Sequence, residues 1–428
     1  MRVGLVGYGT RGDVQPFVCL GHALAQRGHE VRLLVPRNGA PMARAAGLPT
    51  VELPLDVQQM FASPEAQRML AAGRIGAFFR WLHREEKAYL SEFRDVLVEG
   101  LSDCDAIACH PLVEDRCAAV AERRGAAVVA IHFFPVLPSA SFPSPFIAQR
   151  SLGPLNRTTH RLMLRMLWRL SREEVVEMRQ DLGLPPARRS YTTAISRGEG
   201  HAVLAYSPAL FPAPSDWAAA TRPLGALAPS PQLRRALGEE GLPDELREWL
   251  GDGEPPVFLG FGSMPVLDAE GLLETTRRTL RRLGVRGVIG AGWSELPGTR
   301  DELVFSIASV DHQSLLPRCA AAVHHGGAGT VHASLAAGTP TLVCSVFADQ
   351  PFWGRRCRAL GVGETFPFKR LDERRLGAGL SAVLEPDVAD AAGRLGRAMA
   401  AEDPTAAAIE ALERAAQGSR LRSRPGPR

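Results

Sequence analysis

Three glycines in four positions, preceded by two histidines, make Val323-His324-His325-Gly326-Gly327-Ala328-Gly329-Thr330 the stretch best equipped for chemistry. An apolar run, Ala320 to Val323, reads as a buried strand before it, and Val331 to Ala337 reads as a helix after it, closed by Gly338 and Pro340. Gly326, Gly327 and Gly329 let a ligand come close to the backbone, and the helix then opening points unpaired N–H groups at it. That arrangement holds a phosphate or diphosphate without many charged side chains. The His325 imidazole, at the mouth of the turn, can add a donor. The same residues also suit an ordinary glycine-rich strand-to-helix turn.

Other turns at strand ends in the second half carry residues suited to a nucleotide: Ser263, Trp293, and the pair Asp349-Gln350 before Pro351. In open α/β sheets ligands bind beyond the carboxyl ends of the strands, so these turns and the His325 turn can converge on one crevice. Trp293 can stack on a base or pack half-buried. Asp349 can cap the helix that Pro351 starts, or Asp349 and Gln350 can bind neighbouring hydroxyls of a sugar. A diphosphate site beside a hydroxyl-reading pair points to a nucleotide sugar. Near the start, Gly7-Tyr8-Gly9-Thr10-Arg11-Gly12 matches Gly-x-Gly-x-x-Gly. A dinucleotide fold then wants a carboxylate ending the second strand, and Val31 to Arg37 offers none, which argues against a dehydrogenase.

Four segments together resemble the two-domain GT-B glycosyltransferases of family 1, especially the bacterial antibiotic-tailoring and sterol-glucosylating branch. They are Gly9-Thr10-Arg11-Gly12-Asp13-Val14-Gln15-Pro16, Gly260-Phe261-Gly262-Ser263-Met264, His324 to Thr330, and Ala348-Asp349-Gln350-Pro351. Their order and spacing agree with that family over about residues 1–415. The resemblance implies an α/β GT-B architecture, two Rossmann-like doubly wound parallel-sheet domains facing across a cleft. It implies Asp13 as the catalytic base that takes the acceptor hydroxyl's proton, where other branches place a histidine. Asp13 can equally cap the following helix. For the donor it implies Arg11 and Gly12 beside the phosphates, and His325, Gly326, Gly327, Gly329 and Thr330 as the diphosphate cradle. Ser263 adds a polar contact, Trp293 a stacking face, Val310 a backbone contact to the pyrimidine edge, and Asp349 with Gln350 the sugar hydroxyls. His324 and His332 are expected to be structural. The reaction implied is an inverting displacement needing no metal or cofactor, from a UDP- or TDP-sugar to a small-molecule hydroxyl.

The elements that must position these residues can be read in outline. Residues 2–6 form a strand, Val14 to Ala25 one face of a helix, and Glu30 to Val35 the next strand, the seed of a doubly wound sheet. Residues 56–100 read as helical, with an aromatic face that includes Phe79. Strands are expected at Asp105 to Ala108 and Ala126 to Ile131, and later at Pro256 to Phe261, Arg286 to Ala291, Ala320 to Val323 and Pro340 to Val346. Asp103-Cys104-Asp105 has the spacing of a metal-binding pair but precedes its strand, at the wrong end of a sheet for a ligand. Between 135 and 160, prolines and phenylalanines suit a loop lining an apolar acceptor pocket, with Phe134, Phe142 and Phe146 as candidates.

Prolines crowd between Ser207 and Pro231 and mark the boundary. The expected division is an acceptor domain over 1–215, a linker over 216–240 and a donor domain over 241–400. A final helix over 401–416 can pack back on the first domain, and a disordered tail follows over 417–428.

Composition sets the outer limits. A chain of 428 residues, 45% hydrophobic and 22% charged, suits two or three soluble domains. Four arginines of the tail account for the net charge of +4, so the body is neutral and a nucleic-acid footprint is unsupported. The seven cysteines are scattered and odd in number, with no Cys-x-x-Cys pair, which fits a reduced, cytoplasmic protein. No apolar stretch approaches the ~20 residues that span a bilayer, so stable membrane insertion is not expected. The partners expected are the nucleotide sugar and an apolar acceptor such as a polyketide, terpenoid or sterol, with the protein a monomer or homodimer. Two alternatives share the architecture: a non-catalytic auxiliary protein that activates a partner enzyme, and a sugar-nucleotide epimerase.

Overall fold

The computed structural model describes residues 1–423 apart from residues 73, 219–220, 263–267 and 293–297. Two six-stranded sheets, every strand pair parallel, carry the chain. The first holds β1 (Arg2–Val6), β2 (Glu30–Pro36), β3 (Thr50–Leu53), β4 (Ala106–Cys109), β5 (Ala127–His132) and β6 (His201–Leu204). Its spatial order is β3-β2-β1-β4-β5-β6. The second holds β7 (Val257–Gly260), β8 (Gly287–Gly290), β9 (Val304–Ile307), β10 (Ala321–His324), β11 (Thr341–Ser345) and β12 (Gly363–Pro367), in the order β12-β11-β10-β7-β8-β9.

Helices on both faces bury the central strands, which is why they read as unbroken apolar runs. All four residues of β4, β7 and β10 are buried. The expected strands each fall within a residue or two of the observed ones. Four strands escaped the sequence reading, β3, β6, β9 and β12, and these are the four sheet edges. An edge strand is covered on fewer sides, and β3 and β6 each expose or half-expose at least two of their four residues, so no apolar run marks them.

In each sheet the chain builds outward on one side and then crosses to the other. The reversal lies between β1 and β4 in the first sheet and between β7 and β10 in the second. Such reversals part the loops at the strands' carboxyl ends and open a crevice there.

The two halves are tied in two places. The last helix, Pro404–Ser423, buries Ala408, Ile409, Leu412, Ala415 and Ala416 in the apolar core of the first sheet, beside Val3, Leu5 and Ile131. It runs past Ala416 into the stretch expected to be a disordered tail. Proline and glycine do not crowd until Pro425, and the Ser419 hydroxyl donates to the Gly125 carbonyl at 2.8 Å. Just beyond β6, the Ser207 N–H donates to His332 Nε2 at 3.0 Å and its hydroxyl donates to Glu402 at 2.5 Å. His332 Nδ1 lies 2.6 Å from the Ala328 carbonyl, so this ring joins the second sheet's key helix to the crossover between halves. All seven cysteines are buried free thiols. Among the described residues no helix is long and apolar enough to cross a membrane.

Candidate active site

At the first sheet's reversal, β1 feeds a tight turn into helix Arg11–Gln26. Thr10 is the N-cap, and Asp13 stands at the third helical position rather than at the cap itself. The Asp13 carboxylate reaches back: Oδ2 accepts from the Thr10 N–H at 2.8 Å and from its hydroxyl at 3.0 Å. Gly9, at φ +133°, leaves the room, because a Cβ there would lie 2.3 Å from Asp13 Oδ2.

One carboxylate oxygen is thereby spent on capping, and the other is not. Asp13 Oδ1 lies 3.4 Å from Nε2 of His110, which follows the neighbouring strand β4 and is almost fully buried. His110 Nδ1 accepts from the Leu112 N–H at 3.2 Å. An acceptor at Nδ1 places the neutral ring's proton on Nε2, facing Asp13. The Phe133 ring, 5.7 Å away between centroids, packs against the imidazole and fixes its position. The two strands on either side of the reversal thus present a carboxylate and a buried imidazole to each other.

At the second reversal, β10 ends at His324 and helix Ala328–Ala336 opens immediately, with Gly327 as N-cap. The helix starts three residues earlier than the sequence reading placed it. Its first helical hydrogen bond runs from the Val331 N–H to the Gly327 carbonyl at 3.0 Å, so Ala328, Gly329 and Thr330 occupy the first turn, where N–H groups have no partner within the helix. Gly329 is exposed, while Gly327, Ala328 and Thr330 are half-buried. Gly326 takes φ +89° and would set a Cβ 2.4 Å from Val343.

His325 stands over this turn. A Cβ on Gly327 would lie 2.6 Å from His325 Nε2, and one on Gly262, just after β7, would lie 3.2 Å from its Cε1. The ring is therefore held between the two turns that flank the reversal. Its Nδ1 is buried without a hydrogen-bond partner among the described residues. Burial, with His312 nearby, pushes its pKa down to about 4, so at neutral pH it is an uncharged imidazole with one N–H to give. His324 is wholly buried: its Nδ1 accepts from the Gly326 N–H at 3.0 Å and its Nε2 meets the Thr341 hydroxyl at 2.5 Å, bracing the turn.

Beyond β11 the chain makes a strained turn at Ala348, the non-glycine residue with positive φ (56°) among those described. Asp349 follows as N-cap of helix Gln350–Ala359, yet its side chain caps nothing and accepts instead from Trp353 Nε1 at 2.9 Å. Burial raises its carboxyl pKa to about 7, and the Asp13 charge adds to the rise. Gln350 turns its oxygen to the backbone N–H groups of Val346 and Phe347, at 2.8 and 3.1 Å. Arg11 pairs with Glu239, in the stretch between the halves, at 2.5 Å, and it helps burial to lower the pKa of His312. Gly12 is exposed in the first helical turn, and Val310 is half-buried beyond the carboxyl end of β9. Ser263 and Trp293 lie outside the described residues.

Comparison with known proteins decides what this double crevice belongs to. Residues 3–98 match the glycosyltransferase family 28 N-terminal domain, and residues 294–414 match the erythromycin biosynthesis protein CIII-like C-terminal domain. Over 448 aligned residues the chain is 34% identical to an O-mycaminosyltylonolide 6-deoxyallosyltransferase of Streptomyces fradiae, covering the whole of both. The chain is a GT-B glycosyltransferase. It is related to sterol glucosyltransferases as well, being 32% identical to a sterol 3-beta-glucosyltransferase of Arabidopsis thaliana, of which it spans 65%. The fold agrees with solved structures: a kitacinnamycin glycosyltransferase (TM-score 0.69, 18% identity, 97% of this chain and 98% of that one) and the glycosyltransferase VinC in complex with DTDP (0.66, 19%, 98% and 100%).

In this glycosyltransferase three of the phenylalanines expected at the acceptor make aromatic contacts. Phe134 and Phe146 meet edge to face at 5.4 Å. Phe142 packs with Phe211 and with Phe352 of helix Gln350–Ala359, so it lies where the halves join. Phe79 belongs to helix Ile75–Lys87, and its side chain lies outside the described residues. A small hollow of about 10 Å³ beside the Asp13 turn, room for little more than one water, has another lining, which includes Tyr8, Leu55, Glu86, Phe93 and Arg116. Tyr8 donates to Glu86, and Arg116 pairs with Glu174. The sequence reading passed over this lining and over His110. A lone histidine after a four-residue strand carries no spacing signal; only the pairing of β1 with β4 brings it to Asp13.

Proposed function

We propose that this glycosyltransferase moves a sugar from a uridine or thymidine diphosphate sugar to a hydroxyl of a bulky apolar acceptor, such as a polyketide, terpenoid or sterol. Transfer inverts the anomeric centre and uses no metal. The observation that carries the reading is the pairing of two strand reversals. One offers Asp13 Oδ1, the carboxylate oxygen not used in capping, and the other a bare helix N-terminus with His325 Nδ1, unpartnered among the described residues. Two comparisons support it: VinC was solved with DTDP, and the relatives' names specify O-mycaminosyltylonolide and a sterol as acceptors.

The acceptor oxygen attacks the anomeric carbon from the face opposite the diphosphate while Asp13 Oδ1 takes its proton. The bond from that carbon to the diphosphate oxygen breaks, and its electron pair leaves with the diphosphate. The growing negative charge meets the N–H groups of Ala328, Gly329 and Thr330 and the neutral imidazole of His325, donors already in place before reaction. Asp349 and the free amide N–H groups of Gln350 read the sugar hydroxyls. Arg11, on exchanging Glu239 for a phosphate oxygen, closes the cleft from the first half. Ser263, Trp293 and Val310 complete the donor contacts.

The test separates binding from transfer. Asp13→Asn should leave thymidine diphosphate affinity within about twofold by calorimetry and lower transfer by about 10²–10⁴-fold. A chelator should leave the wild-type rate unchanged. Normal turnover by the variant removes Asp13 as base, and dependence on a divalent ion removes the helix-based account of the leaving group. An epimerase would instead convert the sugar nucleotide with no acceptor present.

A further inference from the structure

We infer that the outer face of helix Asn156–Asp181, with the loop before it, docks on a lipid bilayer bearing anionic headgroups. Of the ten large apolar side chains exposed among the described residues, eight fall between Phe146 and Leu170. Leu155, Leu162, Met166 and Leu170 are spaced by seven, four and four residues and form one stripe of the helix and its entry; they are 60%, 55%, 47% and 47% exposed. A stripe of this kind normally turns inward. Here the opposite side of the helix, with Met163, Leu164, Val175 and Met178, does the packing, and the stripe faces out.

Charge says what covers it. Between residues 146 and 172 the chain has six arginines and no aspartate or glutamate. Arg161, Arg165 and Arg169 repeat at four-residue intervals, so they run as a second exposed stripe beside the leucines. None of the three has a carboxylate partner among the described residues; Arg157 alone of the six is engaged, with Asp216 at 2.7 Å. An aliphatic face flanked by arginines is the pattern of a helix lying in the plane of a membrane surface, with the side chains sunk at the headgroup boundary and the guanidinium groups on phosphates. A second copy is the competing occupant, because the exposed Glu173 and Glu177 of the same helix could meet these arginines in an antiparallel pair, and the test below therefore reads the oligomeric state. A protein partner would be expected to find aromatic anchors, and all but one of the eight exposed residues are aliphatic. The six residues substituted below lie on the helix and belong to neither strand reversal, so this inference does not depend on the donor site.

Flotation of the full chain with vesicles tests it. The wild type should float with phosphatidylcholine vesicles containing phosphatidylglycerol at about 0.1 M salt, be released at about 1 M salt, and ignore pure phosphatidylcholine. The combined variant Leu162→Gln, Met166→Gln, Leu170→Gln and the combined variant Arg161→Gln, Arg165→Gln, Arg169→Gln should each weaken binding at least about tenfold. Both should keep the wild-type melting temperature and transfer rate on a dissolved acceptor. The inference is overturned by failure to float, by flotation that neither variant changes, or by a wild-type dimer that the leucine variant turns into monomer.

Discussion

At the residue scale the account rests on how Asp13 divides its two oxygens. Oδ2 is committed to the Thr10 cap, so only Oδ1 can receive a proton, and His110 lies against that atom. With Nδ1 held by the Leu112 N–H, His110 turns the Nε2 side of its ring to Asp13 Oδ1 at 3.4 Å, where a small shift of either side chain makes it a donor. His110→Leu removes that donor and should lower kcat about 10- to 100-fold with the donor KM unchanged. His110→Gln can place an amide N–H near the former Nε2 and should recover most of the loss. Steady-state kinetics on the two variants checks this; equal loss in both would reduce His110 to a packing residue. Asp13 was legible from its motif, whereas its partner was not, because 97 residues separate the two and only the sheet brings them together.

The decisive element is the helix that opens straight from Gly327. Its early start leaves the first-turn N–H groups pointing out of the sheet's end, and His325 roofs them. Gly327 has φ −59°, an angle open to any residue, so its need for a bare α-carbon is one of space. Gly327→Ala would put a methyl 2.6 Å from His325 Nε2 and push the ring aside. Thymidine diphosphate affinity should fall at least about tenfold while the melting temperature stays near wild type, since the backbone is unstrained. Titration calorimetry beside a thermal melt measures both, and unchanged affinity would count against the cradle. The glycine pattern gave this turn away in the sequence. Asp349 was harder, since an aspartate before Gln-Pro reads equally as a helix cap, and only its bond from Trp353 shows it free of that duty.

Across the whole molecule, two sheets with the same reversal stand with their carboxyl ends toward one space. Ser207 joined to His332 and Glu402, and Arg234 of the linking stretch paired with Asp311, bridge the halves. Central strands and their turns were readable because buried parallel strands are apolar throughout. Edge strands were not, since half-exposed residues blur the pattern. The last helix's docking on the first sheet was equally hidden, because an alanine-rich helix does not say which core it completes. If the reversals form one site, a crystal soaked with thymidine diphosphate decides the matter directly. The account places the diphosphate against the N–H groups of Ala328, Gly329 and Thr330, with a phosphate oxygen on His325 and Asp13 facing it across the cleft. A nucleotide bound with its phosphates away from that helix end would contradict it.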